Sequence, residues 1–256
     1  GTGRVSLSPM PAILLPAPPA APRRDPRGGD TGGMVDDVPV QRIEYLRAPI
    51  EGFEVDGVPD APLGLFRTWL SEAVDFGVPE PNAATLATVN GRGEPSSRLM
   101  LVKVVDERGF CFFTNHGSRK GQDLTETGNA ALLFPWIGMH RQVAVRGHAV
   151  RLARQESESY FASRPRAAQV GAWASQQSRP VERAELDVRV EALTEHFGDD
   201  EPIPMPDNWG GYVLVPEAIE FWVGRFSRLH DRIEYRRRAP GGLDDGAAWT
   251  RRRLSP

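Results

Sequence analysis

Short runs of alternating apolar and polar residues, each closed by turn-forming residues, fill the middle of this chain and direct it to antiparallel β-structure. Residues 84–89 form one such run and end on the turn pair Asn90-Gly91. Residues 99–105 and 109–114 are two more, joined by Asp106, Glu107 and Arg108 and followed by the corner Ser118-Arg119-Lys120. Residues 129–135 and 141–152 continue the pattern. In the second of these, Val143 and Val145, then Ala149 and Arg151, alternate around Gly147, which predicts a bulge in a curved sheet. Beyond the proline-rich loop 202–206, strands are expected at 211–215, 220–224, 230–236 and 247–254.

Helical periodicity is confined to three stretches. Residues 61–76 set Leu63, Phe66, Trp69, Leu70 and Val74 on one face, with Gly77 as the stop. Residues 155–163 and 181–197 are the others, the latter amphipathic through Leu186, Val190, Leu193 and Phe197, and 164–180 between them reads as a polar connection. Many strands with few covering helices predict a mainly β, α+β architecture of barrel type. Residues 1–38, rich in Pro, Gly, Ala and Arg, are expected to form a disordered tail ahead of a single domain at 39–256. Pro11, Pro16, Pro18 and Pro19 break the apolar stretch at 10–22 and argue against a secretion signal. A short arm is expected at 41–46.

Charge narrows the function. The net charge of -3 offers no global attraction for nucleic acid or an anionic membrane, so any phosphate must be met locally. A lone cysteine, Cys111, excludes an internal disulfide and a cysteine-based zinc site, fits a cytoplasmic location, and reads as a buried apolar residue of a strand. No HExxH, P-loop, GxSxG or helix-opening GxGxxG occurs. Of the 31 basic residues only Lys103 and Lys120 are lysine. In a composition so biased to arginine, two lysines in one stretch point to places that need a compact ammonium. Arg98, Arg119, Gln142, Arg164, Gln177, Ser178, Arg228, His230 and Arg232 join them at strand ends and corners, a donor set suited to a phosphorylated small molecule. Trp136, Trp173 and Trp209 read as packing residues.

The blocks SRLMLVK, FFTNHGSRKGQ, LFPWIGMHRQV, YFASRPRAAQVGAWASQQS and EFWVGRFSRLHDRIEY, in this order and spacing, resemble the pyridoxamine 5'-phosphate oxidases. The likeness runs from about Arg42 to the closing Arg253-Leu254-Ser255-Pro256. It implies an FMN-binding split β-barrel and a homodimer with the flavin at the subunit interface. The implied activity is oxidation of pyridoxamine or pyridoxine 5'-phosphate to pyridoxal 5'-phosphate, with O2 as acceptor and hydrogen peroxide as by-product. By motif match, Arg98, Arg119, Lys120 and Ser178 would meet the FMN phosphate. Leu99, Met100, Leu101, Val102, Lys103, Phe113, Thr114, Gln142, Gln177, Trp222 and Arg232 would line the rest of the flavin. Lys103, Tyr160 and Arg164 would hold the substrate phosphate. Arg228 and His230, with Leu229 between them, would sit against the pyridine ring as the catalytic pair, and Arg42 to Tyr45 would close over it. Two positions depart from the family: Ala168 stands where a serine is common, and Phe113 where a tyrosine is.

Related functions stay open on these residues: a flavin oxidase of dihydrophenazine type, a deazaflavin-dependent reductase, or a carrier of flavin or pyridoxal phosphate without turnover. The phosphate set Lys103, Tyr160 and Arg164 speaks against the first, and the RLHDR sequence against the second.

Overall fold

A computed structural model of the chain describes residues 53–256. The arm at 41–46, with Arg42 and Tyr45, and the tail at 1–38 lie outside the described residues. Nine strands form one antiparallel sheet: β1 (Ala83–Val89), β2 (Pro95–Leu101), β3 (Val104–Val105), β4 (Phe110–Asn115), β5 (Asn129–Trp136), β6 (Arg141–Arg151), β7 (Trp209–Val223), β8 (Asp231–Arg237) and β9 (Trp249–Arg253). Their order is β2-β1-β5-β6-β7-β4-β3, with β8 added to β7 and β9 to β8. The sheet divides at β7. Residues 209–214 of that strand pair with β4 and residues 218–223 with β8, while β6 runs along its other edge. One strand serving two partners in succession bends the sheet into a half-barrel.

The bend has a local cause. Register shifts between Arg146 and Gly147, opposite Pro216, as the alternation around Gly147 predicts. A Cβ on Gly147 would stand 2.1 Å from the Val215 carbonyl oxygen, so only glycine lets the two backbones close here. Pro216 lacks an N–H, and a bulge is where a strand tolerates that loss. The expected strands at 211–215 and 220–224 are therefore one strand with an irregularity in it.

Helix α1 (Pro62–Phe76) opens on its proline and closes on Gly77, whose φ of +82° is left-handed. Leu63, Phe66, Trp69 and Ala73 bury its inner face, whereas Val74, expected on that face, is exposed. Phe66 meets Phe110 edge-on at 5.0 Å and Phe134 at 5.1 Å, and Trp69 meets Phe221 at 5.2 Å. Such pairs each add about 0.5–1.5 kcal/mol to the burial of the rings. Trp136 completes this core as expected, and Cys111 is fully buried, which pushes its thiol up to about 12 and leaves it unreactive at neutral pH.

Other expectations are corrected. The predicted strand at 99–105 is broken: β2 pairs with β1 and β3 with β4, so the chain changes partner at Val102-Lys103. Val102 N–H donates to Asn82 O and Lys103 N–H to Cys111 O across that gap. The corner at 118–120 opens helix α2 (Arg119–Glu126), and the supposed polar connection at 164–180 contains α4 (Arg166–Ala174), lying between α3 (Arg154–Ala162) and α5 (Arg183–Phe197). Helix α5 buries no residue completely. Leu193 and Phe197 pack on a second, smaller core of Phe161, Val170, Ile203, Met205 and Trp209. Trp173 is exposed, its indole N–H donating to Pro204 O at 2.8 Å and its ring lying 5.8 Å from that of Phe197. No described helix is long and apolar enough to cross a membrane, and no described cluster of His, Cys, Asp or Glu could hold a metal.

Candidate functional site

A buried lysine and a half-buried arginine sit where β2, β4 and α2 converge. Arg98, on β2, donates from Nη1 to Thr88 Oγ1 at 2.7 Å and to Leu86 O at 3.3 Å, and from Nη2 to Ser96 Oγ at 2.6 Å. Lys120 lies in the first turn of α2, a helix capped by Ser118, whose Oγ accepts from Gly121 N–H. A Cβ on Gly121 would stand 2.2 Å from His116 O, so glycine lets the turn close tightly beneath the lysine. The Lys120 ammonium is buried and donates to Gln177 Oε1 at 2.9 Å, Thr114 Oγ1 at 3.1 Å and Ser118 Oγ at 3.4 Å. All three partners are neutral. Burial, and after it the neighbouring Arg98, push Lys120 down to about 8. Burial also lowers Arg98, with Asp123 opposing the shift and Arg119 adding to it. The buried Lys120 ammonium at a helix N-terminus, with the half-buried Arg98 beside it, makes a place where an anion is favoured. Ser178, held at a left-handed φ of +72°, accepts from the Arg119 backbone N–H at 3.2 Å and closes the cluster. The Arg119 side chain is exposed, and its charge is felt at Arg98.

Beside this cluster opens a cavity of about 780 Å³. Leu99, Met100 and Leu101 of β2, Phe113 and Thr114 of β4, Lys103 and Gln177 line it. Thr114 and Gln177 are the groups that hold Lys120, so the ammonium stands directly behind these two lining residues. Tyr160 and Arg164, carried by α3 and its C-terminal turn, line it as well, with Ala168 of α4. Tyr160 stacks on Phe113 with ring centres 3.8 Å apart. The Arg164 guanidinium lies 4.8 Å over the ring of Trp209, and its buried Nη1 has no hydrogen-bond partner in the protein. Burial lowers Arg164, partly countered by Tyr160. Val102 buries its side chain in the main core, and its carbonyl accepts from Asn82 Nδ2.

The remaining sequence-predicted residues form a second group. Gln142, Trp222 and Arg232 stand side by side on β6, β7 and β8. Arg232 donates to both oxygens of Glu220 at 2.9 Å and to Ser255 O at 2.8 Å. His230 immediately precedes β8 rather than opening it; its ring centre lies 4.6 Å from that of Trp222, and its Nδ1 accepts the Arg225 backbone N–H at 3.0 Å. Ser227 and Arg228 both hold left-handed φ values, +57° and +61°, and Leu229 is exposed. None of Gln142, Trp222, Arg228, His230 or Arg232 lines the cavity. Of the expected residues, Lys103, Phe113, Thr114, Tyr160, Arg164 and Gln177 thus line the cavity, Arg98, Lys120 and Ser178 lie in the cluster beside it, and the other five form the group at β6, β7 and β8.

Sequence reasoning passed over two features. Trp209, read as packing alone, both packs and lines the cavity beneath Arg164. Asp123, buried on α2, accepts from Thr88 and Ser96, the same hydroxyls that hold Arg98.

A divided antiparallel sheet with a cation-lined cavity at its seam is the split β-barrel class. Two solved structures share it. PhzG from Burkholderia lata 383, in complex with tetrahydrophenazine-1-carboxylic acid, matches with a TM-score of 0.73 and 33% identity over 83% of this chain and 100% of that one. A pyridoxamine 5'-phosphate oxidase-related FMN-binding protein from Nostoc punctiforme PCC 73102 matches in fold at a TM-score of 0.58, with 16% identity over 75% of this chain and 97% of that one. In sequence, residues 70–197 match the family described as pyridoxamine 5'-phosphate oxidase, and residues 209–256 match the pyridoxine 5'-phosphate oxidase C-terminal dimerisation region. The pyridoxine/pyridoxamine 5'-phosphate oxidase of Burkholderia cenocepacia (strain HI2424) is 50% identical over 84% of this chain and 97% of its own length. That of Salinibacter ruber (strain DSM 13855 / M31) is 49% identical over the same shares. The chain belongs to the pyridoxamine 5'-phosphate oxidase family of oxidoreductases.

Proposed function

We propose that this protein binds FMN and oxidises pyridoxamine 5'-phosphate and pyridoxine 5'-phosphate to pyridoxal 5'-phosphate, with O2 as acceptor and H2O2 released, the amine substrate also consuming water and releasing ammonia. The observation that carries the reading is the pairing of two cationic sets at one cavity: Arg98 with Lys120 behind the lining residues Thr114 and Gln177, and Arg164 with Tyr160 and Lys103 in the lining itself. The donor chemistry fits two phosphates. Lys120 donates to neutral partners only, and Arg164 keeps a buried Nη1 without a hydrogen-bond partner, so neither cation donates to a carboxylate among the described residues.

Arg98, Arg119, Lys120 and Ser178 would hold the FMN phosphate, and Leu99, Met100, Leu101, Phe113, Thr114 and Gln177 would line the flavin. Bound FMN would supply the redox chemistry, taking two electrons from substrate C4' and passing them to O2. Lys103, Tyr160 and Arg164 would fix the substrate phosphate, and the binding energy of that remote group orients the reacting carbon. The stacked Phe113 and Tyr160 rings exclude water from that side. His230 acts as a donor in this scheme. Its Nδ1 accepts the Arg225 N–H, and burial with Arg228 and Arg232 nearby lowers its pKa, so at neutral pH the ring is uncharged with its proton on Nε2.

Gln142, Trp222, Arg228, His230 and Arg232 stand apart from the cavity of their own chain, which supports a homodimer in which each copy's second group completes its partner's site. The matched dimerisation region covers four of these five residues. The likeness to PhzG favours a second reading, oxidation of a reduced phenazine, and the two differ over phosphate. Replacing Arg164 by Ala tests the choice: the main reading predicts a KM for pyridoxamine 5'-phosphate raised at least tenfold, consistent with the roughly 1.5–3 kcal/mol of a charged hydrogen bond. An unchanged KM, or turnover with a dihydrophenazine but not with the phosphate ester, would favour the second.

A further inference from the structure

We propose that Asp123 is a positioning residue for Arg98, setting the direction of two hydroxyl groups so that one edge of the guanidinium is kept for a phosphate. This rests on the assignment of Arg98 and Lys120 to the FMN phosphate. Asp123 lies three residues beyond Lys120 on α2 and is buried. Its Oδ2 receives Thr88 Oγ1–H at 2.6 Å and Ser96 Oγ–H at 3.0 Å. A hydroxyl carries one proton, and a carboxylate only accepts. Both protons therefore point to Asp123, and the lone pairs of both oxygens are left to accept Arg98 Nη1 and Nη2 at 2.7 and 2.6 Å.

The polarity of this relay depends on the carboxylate. Thr88 Oγ1 and Ser96 Oγ are 3.2 Å apart, close enough to bond each other. Without an acceptor at position 123, one hydroxyl turns to the other, and a proton can face the guanidinium where a lone pair is needed. With the relay in place, both hydrogens of Nη1 and one of Nη2 are engaged, the third bond running to Leu86 O. Of the five N–H groups of an arginine this leaves Nε–H and the outer Nη2–H, the fork that grips two oxygens of one anion. The Asp123 charge also offsets that of Arg98 without touching the anion itself, as orienting groups behind a ligand do. Arg98 without this support is a flexible side chain in a half-buried slot.

The test compares FMN with riboflavin, which lacks the phosphate, by flavin fluorescence quenching on the FMN-free full chain. Asp123→Ala should weaken FMN binding roughly tenfold to a hundredfold, the scale of a charge-assisted hydrogen bond, and leave riboflavin binding unchanged. Asp123→Asn keeps an oxygen acceptor and should lose less. In an Arg98→Ala background, Asp123→Ala should cost FMN nothing further, because the residue it positions is gone. Ser96→Ala, which removes one hydroxyl and leaves the helix intact, should give a smaller loss confined to FMN, and serves if Asp123→Ala does not fold. Equal weakening of both flavins would mean that Asp123 only holds α2 in place, and full additivity with Arg98→Ala would likewise overturn the proposal. A wild-type chain that binds FMN no better than riboflavin would overturn the phosphate assignment itself, and the proposal with it.

Discussion

Lys120 is the residue on which the phosphate reading can be tested by pH. Its proton is lost near 8 in the ligand-free chain, because burial and Arg98 disfavour the charge. A phosphate favours the charged form, so binding takes up a proton once the pH exceeds that value. The phosphate itself is doubly charged above about pH 6. FMN affinity relative to riboflavin should therefore be flat from pH 7 to 8 and fall above it, by up to about tenfold per pH unit. A Lys120→Met chain should show no such fall, and a flat ratio in the wild type would contradict the assignment. Roles should also separate by residue: Arg98 or Lys120 variants lose flavin first, whereas Arg228 or His230 variants lose turnover while keeping flavin. Bound flavin per chain and kcat, measured on the same preparations, decide it. At position 168 the methyl lines the cavity, and Ala168→Ser should lower the KM for pyridoxamine 5'-phosphate by up to about tenfold, the worth of one hydrogen bond of roughly 0.5–1.5 kcal/mol. The two lysines stood out in the sequence because the rest of the basic set is arginine. Asp123 did not, since its partners Ser96 and Thr88 lie 27 and 35 residues away and no spacing pattern links them.

Among the elements, the strands and α1 were legible because alternation and a buried helical face repeat at fixed periods. Helices α2 and α4 were not. Helix α2 has eight residues, most of them polar, and it exists because Ser118 caps it and Gly121 fits against His116 O. Helix α4 sits in a run read as polar, yet Val170 is buried in the second core and Arg166 ties the helix to the end of α5 through Phe197 O at 3.0 Å and Glu201 O at 2.9 Å. Two glycines separate conformational need from tolerance. Gly147→Ala should destabilise by about 3 kcal/mol or more, since its methyl would overlap Val215 O at the bulge. Gly171→Ala, inside α4 with nothing within 4 Å of the added carbon, should stabilise by roughly 0.5–1 kcal/mol. Urea unfolding of both variants checks the pair, and the same sign for both would refute the account of the bulge.

At the scale of the whole molecule, the sequence listed the site residues as one set, and the fold divides them. A linear pattern cannot carry that division, because it arises from β7 taking β4 and β8 along one edge. The homodimer proposal turns the division into a complementation test. Lys120→Met and His230→Ala chains, each inactive alone, should regain activity when unfolded and refolded together, since a mixed dimer would hold one site with both groups intact; no recovery would confine the site to a single chain. The central claim, a flavin oxidase of phosphorylated B6 vitamers, is tested most directly by the visible spectrum of the FMN-loaded protein as pyridoxamine 5'-phosphate is added without air. The account predicts that the flavin band bleaches on addition and returns on admission of oxygen, with pyridoxal 5'-phosphate formed. A band that stays unbleached under saturating substrate would contradict it.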